Sequence, residues 1–216
     1  LHMLGNLNSL FGNGAGDARV DWYARWLRDF GEPLIPHAGV IWAFRAVLLI
    51  ALIVHIVGIL QLRSRNRQAR PEHFPARRIG RSLSSRTMAV TGTLLLAFII
   101  FHILQFTTLT IDVTPLKEGD VYANLYNAFQ EWYFVVIYVL AVIFLAFHLR
   151  HGIWSLTQTL GWDSPSRNRS IRYTATGLSI VLAVGFAAVP ILFFTDVLDA
   201  PVESTALITS LISGAI

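Results

Sequence analysis

Four stretches of this chain stay apolar for longer than a strand or an ordinary globular helix requires. They cover about residues 38–62, 87–111, 132–160 and 173–195, and each reaches the ~20 residues that a helix needs to cross a bilayer. Few charges interrupt them, and none shows the apolar–polar alternation of a barrel strand. Lipid offers the backbone no hydrogen-bond partners, so such segments are expected as helices. The opening Leu-His-Met-Leu-Gly reads as the end, residues 1–5, of a further apolar helix whose body would precede Leu1. The expected fold is all-α: a single domain over 1–216, formed as a transmembrane bundle of five helices, the first largely missing from this chain.

Between the apolar runs the charges are largely sorted by sign, apart from a mixed first loop in which Asp17, Asp21, Asp29 and Glu32 offset Arg19, Arg25 and Arg28. One loop holds Arg63, Arg65, Arg67, Arg70, Arg77, Arg78, Arg81 and Arg86 against Glu72, and another holds Arg167, Arg169 and Arg172 against Asp163. The opposite ends carry Asp112, Glu118, Asp120 and Glu131 against Lys117, then Asp196, Asp199 and Glu203. By the positive-inside rule the Arg-rich loops are cytoplasmic. The chain is expected as a multi-pass protein of a bacterial plasma (inner) membrane. Residues 6–36 are too long and too patterned for a bare turn. Asp17 is placed to cap a short helix with Trp22, Tyr23, Trp26 and Phe30 at the membrane interface, stopped by Gly31 and Pro33. The last residues, 202–216, are short and mildly amphipathic, suited either to packing against a partner or to lying on the membrane surface.

Composition narrows the chemistry. The chain is 54% hydrophobic and 14% charged, where soluble domains have about a quarter of their residues charged. It has no cysteine, which removes thiolate-held iron–sulfur clusters, Cys-type zinc sites and disulfides. Its net charge of +4 comes from arginines gathered in loops, since Lys117 is the only lysine. Topology accounts for that better than nucleic acid, which is not expected as a partner.

Ionisable groups inside a membrane are costly and mark function. His2, His55, His102 and His148 fall in four successive apolar segments, at intervals of 53, 47 and 46 residues. Counting from the Arg-rich loops, His55 and His148 lie in the cytoplasmic half and His2 and His102 in the outer half. Neutral imidazole is a good ligand for haem iron, and two of them leave no open coordination position. The pairs His55/His148 and His2/His102 are therefore expected to hold the irons of two haems, as electron carriers. Gly5, Gly58 and Gly152 follow three of these histidines on the same helical face and are expected to make room for a macrocycle; His102 has Gln105 and Phe106 there instead. Candidate propionate contacts are Arg45, Arg86, Arg150 and His151, the last also an alternative to His148 as ligand. A quinone slot would draw on Ser84, Ser85, Arg86 and Trp154 on the inner side, or on Glu32 and Glu131 on the outer. His37 and His73 are expected to be solvated.

The runs SSRTMAVTGTLLLAFIIFH and FHLRHGIWSLTQTLGW, with LHMLGNL and GEPLIPHAGVIWAFRAVLLIALIVH before them, resemble the di-haem cytochrome b membrane anchor of succinate dehydrogenase/fumarate reductase, respiratory complex II, of the single-polypeptide five-helix type. The element His148 to Trp154 is the most specific piece. The resemblance implies two haem b and a quinone, menaquinone or ubiquinone. It implies a flavoprotein and an iron–sulfur subunit docked on the cytoplasmic face, where the dicarboxylate chemistry would lie. A higher oligomer of the complex is compatible with it. Two other readings stay open from the sequence: a di-haem cytochrome b of a hydrogenase or formate dehydrogenase, and a non-haem membrane transporter. Helices broken in matched pairs, a transporter signature, are missing.

Overall fold

The computed structural model describes residues 1–12, 18–69, 83–111, 114 and 116–202, with 83–86 described in backbone alone. Helix α1 (His2–Asn6) leads into a 3-10 turn (Leu7–Leu10). It is followed by α2 (Arg19–Asp29), α3 (Gly39–Gln68), α4 (Leu83–Phe106), α5 (Val121–Phe129), α6 (Trp132–Thr159) and α7 (Asn168–Phe194). Among the described residues there is no strand. Helix α3, α4 from Thr87, α6 and α7 are each long and apolar enough to cross a membrane. The chain is a helical membrane protein.

These spans coincide with the four apolar runs, but their ends do not. Helix α3 continues beyond 62 through Arg63, Arg65 and Arg67, and α7 begins at Asn168, taking in Arg169 and Arg172. Arginine is a good helix former; hydropathy marks the edge of the lipid, not the last hydrogen bond. Helix α4 stops at Phe106, short of 111. Leu109 there takes a left-handed φ of 52°, and the hydroxyls of Thr108 and Thr110 each donate to the Leu104 carbonyl at 3.2 Å. An end carbonyl is thus satisfied without another turn.

The chain divides into two compact units, Leu1–Ala24 with Ser82–Ile216, and Arg25–Arg81. In the larger unit α6 packs against both α4 and α7, while α1 and α5 lie on α7. Its core gathers Tyr122, Leu125, Ala128 and Phe129 of α5, Phe134, Val135 and Tyr138 of α6, and Val189 and Phe193 of α7. The densest packing is therefore at one end of the bundle, around a short helix that is no membrane span. Helix α5 forms because its start is capped twice. Asp120 accepts from the Ala123 N–H at 3.1 Å. Asp21 of α2 accepts from the Val121 and Tyr122 N–H groups at 2.7 and 3.0 Å. Helix α1 approaches α7 closely at Gly185, where a Cβ would run into Met3.

The smaller unit holds the end of α2, a turn and α3. Ala38, left-handed at φ 57°, immediately precedes α3, and its N–H donates to the Arg28 carbonyl at 2.7 Å. No residue of α3 is buried. Helix α2 is where an interfacial helix was expected, and Trp22, Trp26 and Phe30 are exposed. Asp17, expected to cap it, lies outside the described residues, as do His73 and residues 203–216.

Candidate functional site

Helix α1 and the second half of α4 bring two histidines together. The rings of His2 and His102 have centres 5.6 Å apart and planes at 57°. Phe186 of α7 stands 5.7 Å from the His2 ring, and Phe98 stacks on His102 at 5.8 Å. Two imidazoles sharing one metal ion at about 2 Å per bond hold their ring centres roughly 6 Å apart. The donor set and its spacing suit a bis-histidine iron.

His102 is also held from behind. Its Nδ1 is 3.0 Å from the Tyr138 hydroxyl of α6, and that hydroxyl donates to Gln105 Oε1 at 2.7 Å. With Gln105 Oε1 turned to it, the Tyr138 hydroxyl gives its proton to the amide, and in this arrangement His102 Nδ1 carries its own proton and donates to the phenolic oxygen. The lone pair then rests on Nε2.

His148 repeats the arrangement on α6. Its Nδ1 is 3.4 Å from Thr91 Oγ1 of α4. Thr91 directs its own proton to the carbonyls of Thr87 and Met88, both at 3.1 Å, so its oxygen accepts from the imidazole. The ring lies against Gly92, where a Cβ would be 3.2 Å from His148 Cε1. A small residue beside this histidine thus comes from the neighbouring helix. The expected glycines behave differently. A Cβ at Gly5 would meet Tyr23 Cε1 at 2.7 Å, one at Gly152 would find Met88 Cε at 4.0 Å, and Gly58 faces open space. His55 is on α3, in the smaller unit.

One turn beyond His148, a second group forms between α6 and α7. The rings of His151 and Trp154 are 6.0 Å apart, and the Arg172 guanidinium sits 4.4 Å over Trp154. His151 Nδ1 and Trp154 Nε1 are buried with no hydrogen-bond partner. A buried indole N–H in this state suits a ligand oxygen. Arg150 donates through Nε to Thr176 Oγ1 at 2.9 Å, and Arg45 lies 4.9 Å over the Trp42 ring. Ser84, Ser85 and Arg86 fall outside the described side chains. Glu32 meets His37 Nδ1 at 3.2 Å, with Asp29 at 3.3 Å; all three are exposed to solvent. Glu131 immediately precedes α6.

Tyr138, Gln105, Thr91, Gly92 and Arg172 are the residues that reading the sequence for ligands missed. Gln105 alone carried a signal, being an amide inside an apolar run one turn from a histidine.

The comparison with curated proteins and that with solved structures each gave no match. A family model described as the succinate dehydrogenase/fumarate reductase transmembrane subunit matches residues 64–189, from the end of α3 to near the end of α7. The match takes in His102 and His148 and leaves out His2 and His55. Because it covers more than half of a chain whose described residues are helical and include four candidate membrane spans, the chain belongs to the family of succinate dehydrogenase/fumarate reductase transmembrane subunits.

Proposed function

We propose that this chain is the electron-carrying anchor of a succinate:quinone oxidoreductase, with two haem b as carriers between an iron–sulfur partner and a membrane quinone. The observation that carries this reading is the His2–His102 pair, with ring centres 5.6 Å apart. A bis-histidine haem moves one electron at a time without changing the ligands of its iron. The residues do the rest. His2 and His102 would hold one iron, and His55 and His148 the other. The Nδ1–H tautomers set by Tyr138 and Thr91 turn the Nε2 lone pairs of His102 and His148 to ligation. Arg45, Arg86, Arg150 and His151 would meet propionates. The buried N–H of Trp154, with Ser84, Ser85 and Arg86, supplies the proposed inner quinone contacts, and Glu32 and Glu131 the outer ones.

In this reading residues 1–216 act as one anchor domain in a bacterial plasma membrane. The Arg-rich loops face the cytoplasm, where the iron–sulfur and flavoprotein partners dock and the dicarboxylate is handled. A reduced-minus-oxidised spectrum of the purified complex, with a haem assay, tests it. Two b-type haems are expected, with one lost in His102→Ala and one in His148→Ala. A spectrum without a b-type band would overturn the reading, and loss of no haem in His148→Ala would move the ligand to His151.

A further inference from the structure

One hydroxyl between α4 and α6 touches two polar groups at once. Tyr138 donates to Gln105 at 2.7 Å and stands 3.0 Å from His102 Nδ1. Gln105 is 1% exposed and Tyr138 8%. Phe98 and Phe129 both pack edge-on to the Tyr138 ring with centres 5.0 Å away. Water is kept from this chain of bonds, and in so apolar a setting each bond polarises the next. The phenol is paired, whereas Gln105 Nε2 is buried without a partner, a cost of about 1–3 kcal/mol; an apolar side chain would fill the same space, so burying an amide here needs a reason.

We infer that Tyr138 and Gln105 are positioning residues that fix the Nδ1–H tautomer of His102 and set how strongly it donates electrons through Nε2. This rests on the haem reading above. An imidazole whose second nitrogen donates a hydrogen bond is a more basic ligand, and a more basic ligand favours ferric over ferrous iron. Gln105 draws the phenolic proton away and so leaves the Tyr138 oxygen a better acceptor. The potential of the haem held by His102 is thereby kept lower than an unsupported imidazole would keep it.

The test uses the purified complex, with haem content and a redox titration of each haem, and His102→Ala to identify the step that belongs to this site. In Tyr138→Phe, which preserves the ring and its aromatic neighbours, both haems are expected to remain. The potential of the His102 haem should rise while the other stays. An unchanged or lowered potential with both haems present overturns the positioning role and leaves the haem reading standing. A His102→Ala complex that loses no haem overturns the haem reading, and this role with it. Should Tyr138→Phe fail to assemble, Gln105→Met keeps the phenol and should give a smaller rise; no shift there, or a fall, overturns the inference.

Discussion

Gly92 and Trp154 give the single-residue geometry its sharpest tests. A Cβ at Gly92 meets His148 Cε1 at 3.2 Å, so Gly92→Ala needs the ring to yield by only a few tenths of an ångström. Gly92→Leu would drive it aside. The alanine variant should retain both haems and the leucine variant should lose one, read from the b-type absorption per complex. Trp154 offers a buried N–H with no partner, beneath the Arg172 guanidinium. If that N–H meets a quinone oxygen, Trp154→Phe removes a hydrogen bond of about 1 kcal/mol. The quinone KM should then rise roughly five-fold with haem content unchanged; an unaltered KM removes Trp154 from the site. The histidines could be picked out from residue type alone, because an imidazole in an apolar run stands out. Tyr138 could not. A tyrosine in a membrane helix is ordinary, and its partner Gln105 lies on a different helix.

Helix α5 was illegible in the sequence: nine residues are too few to register as a span, and one of its caps comes from a hundred residues away. Asp21 closes the α5 N-terminus through two backbone N–H groups and is itself buried. A carboxylate at a helix start is favoured by both hydrogen bonding and the helix dipole. Asp21→Ala should therefore cost roughly 1–2 kcal/mol, seen as a lowered thermal midpoint of the detergent-solubilised protein; an unchanged midpoint would deny the cap its role. The same helix predicts an alkaline sensitivity. Tyr122 is pushed up to about 12 by burial, then by the nearby Asp199 and Tyr126, while its hydroxyl donates to the Asp199 carbonyl at 2.9 Å. Unfolded tyrosine titrates near pH 10. Below that pH the contribution of Tyr122 is complete. As pH rises from about 10 to 12 the unfolded chain loses a proton that the folded chain keeps, so stability falls. Tyr122→Phe should flatten that fall, and an equally steep alkaline loss in the variant would count against it.

For the whole molecule the membrane itself supplies the test. Helix α6 is 28 residues long, about 42 Å at ~1.5 Å per residue, so Lys117 before it and Ser166 after it belong to opposite faces. The chain has no cysteine, so single thiols report sidedness without background. Lys117→Cys should react with an impermeant reagent added outside intact cells, and Ser166→Cys only after the membrane is opened. The reverse pattern would invert the proposed topology. The membrane class, the four spans and the candidate histidines follow from sequence alone, because hydrocarbon imposes a length, an apolar composition and a penalty on polar groups that each residue carries with it. The contacts between helices do not, because they join residues far apart in the chain and depend on which face of each helix meets its neighbour. Depth in the bilayer already pairs His2 with His102 in the sequence, but only the tertiary structure gave their ring geometry and set His148 against Gly92. Only packing turned Tyr138 and Gln105 from two polar residues in apolar helices into one hydrogen-bonded support.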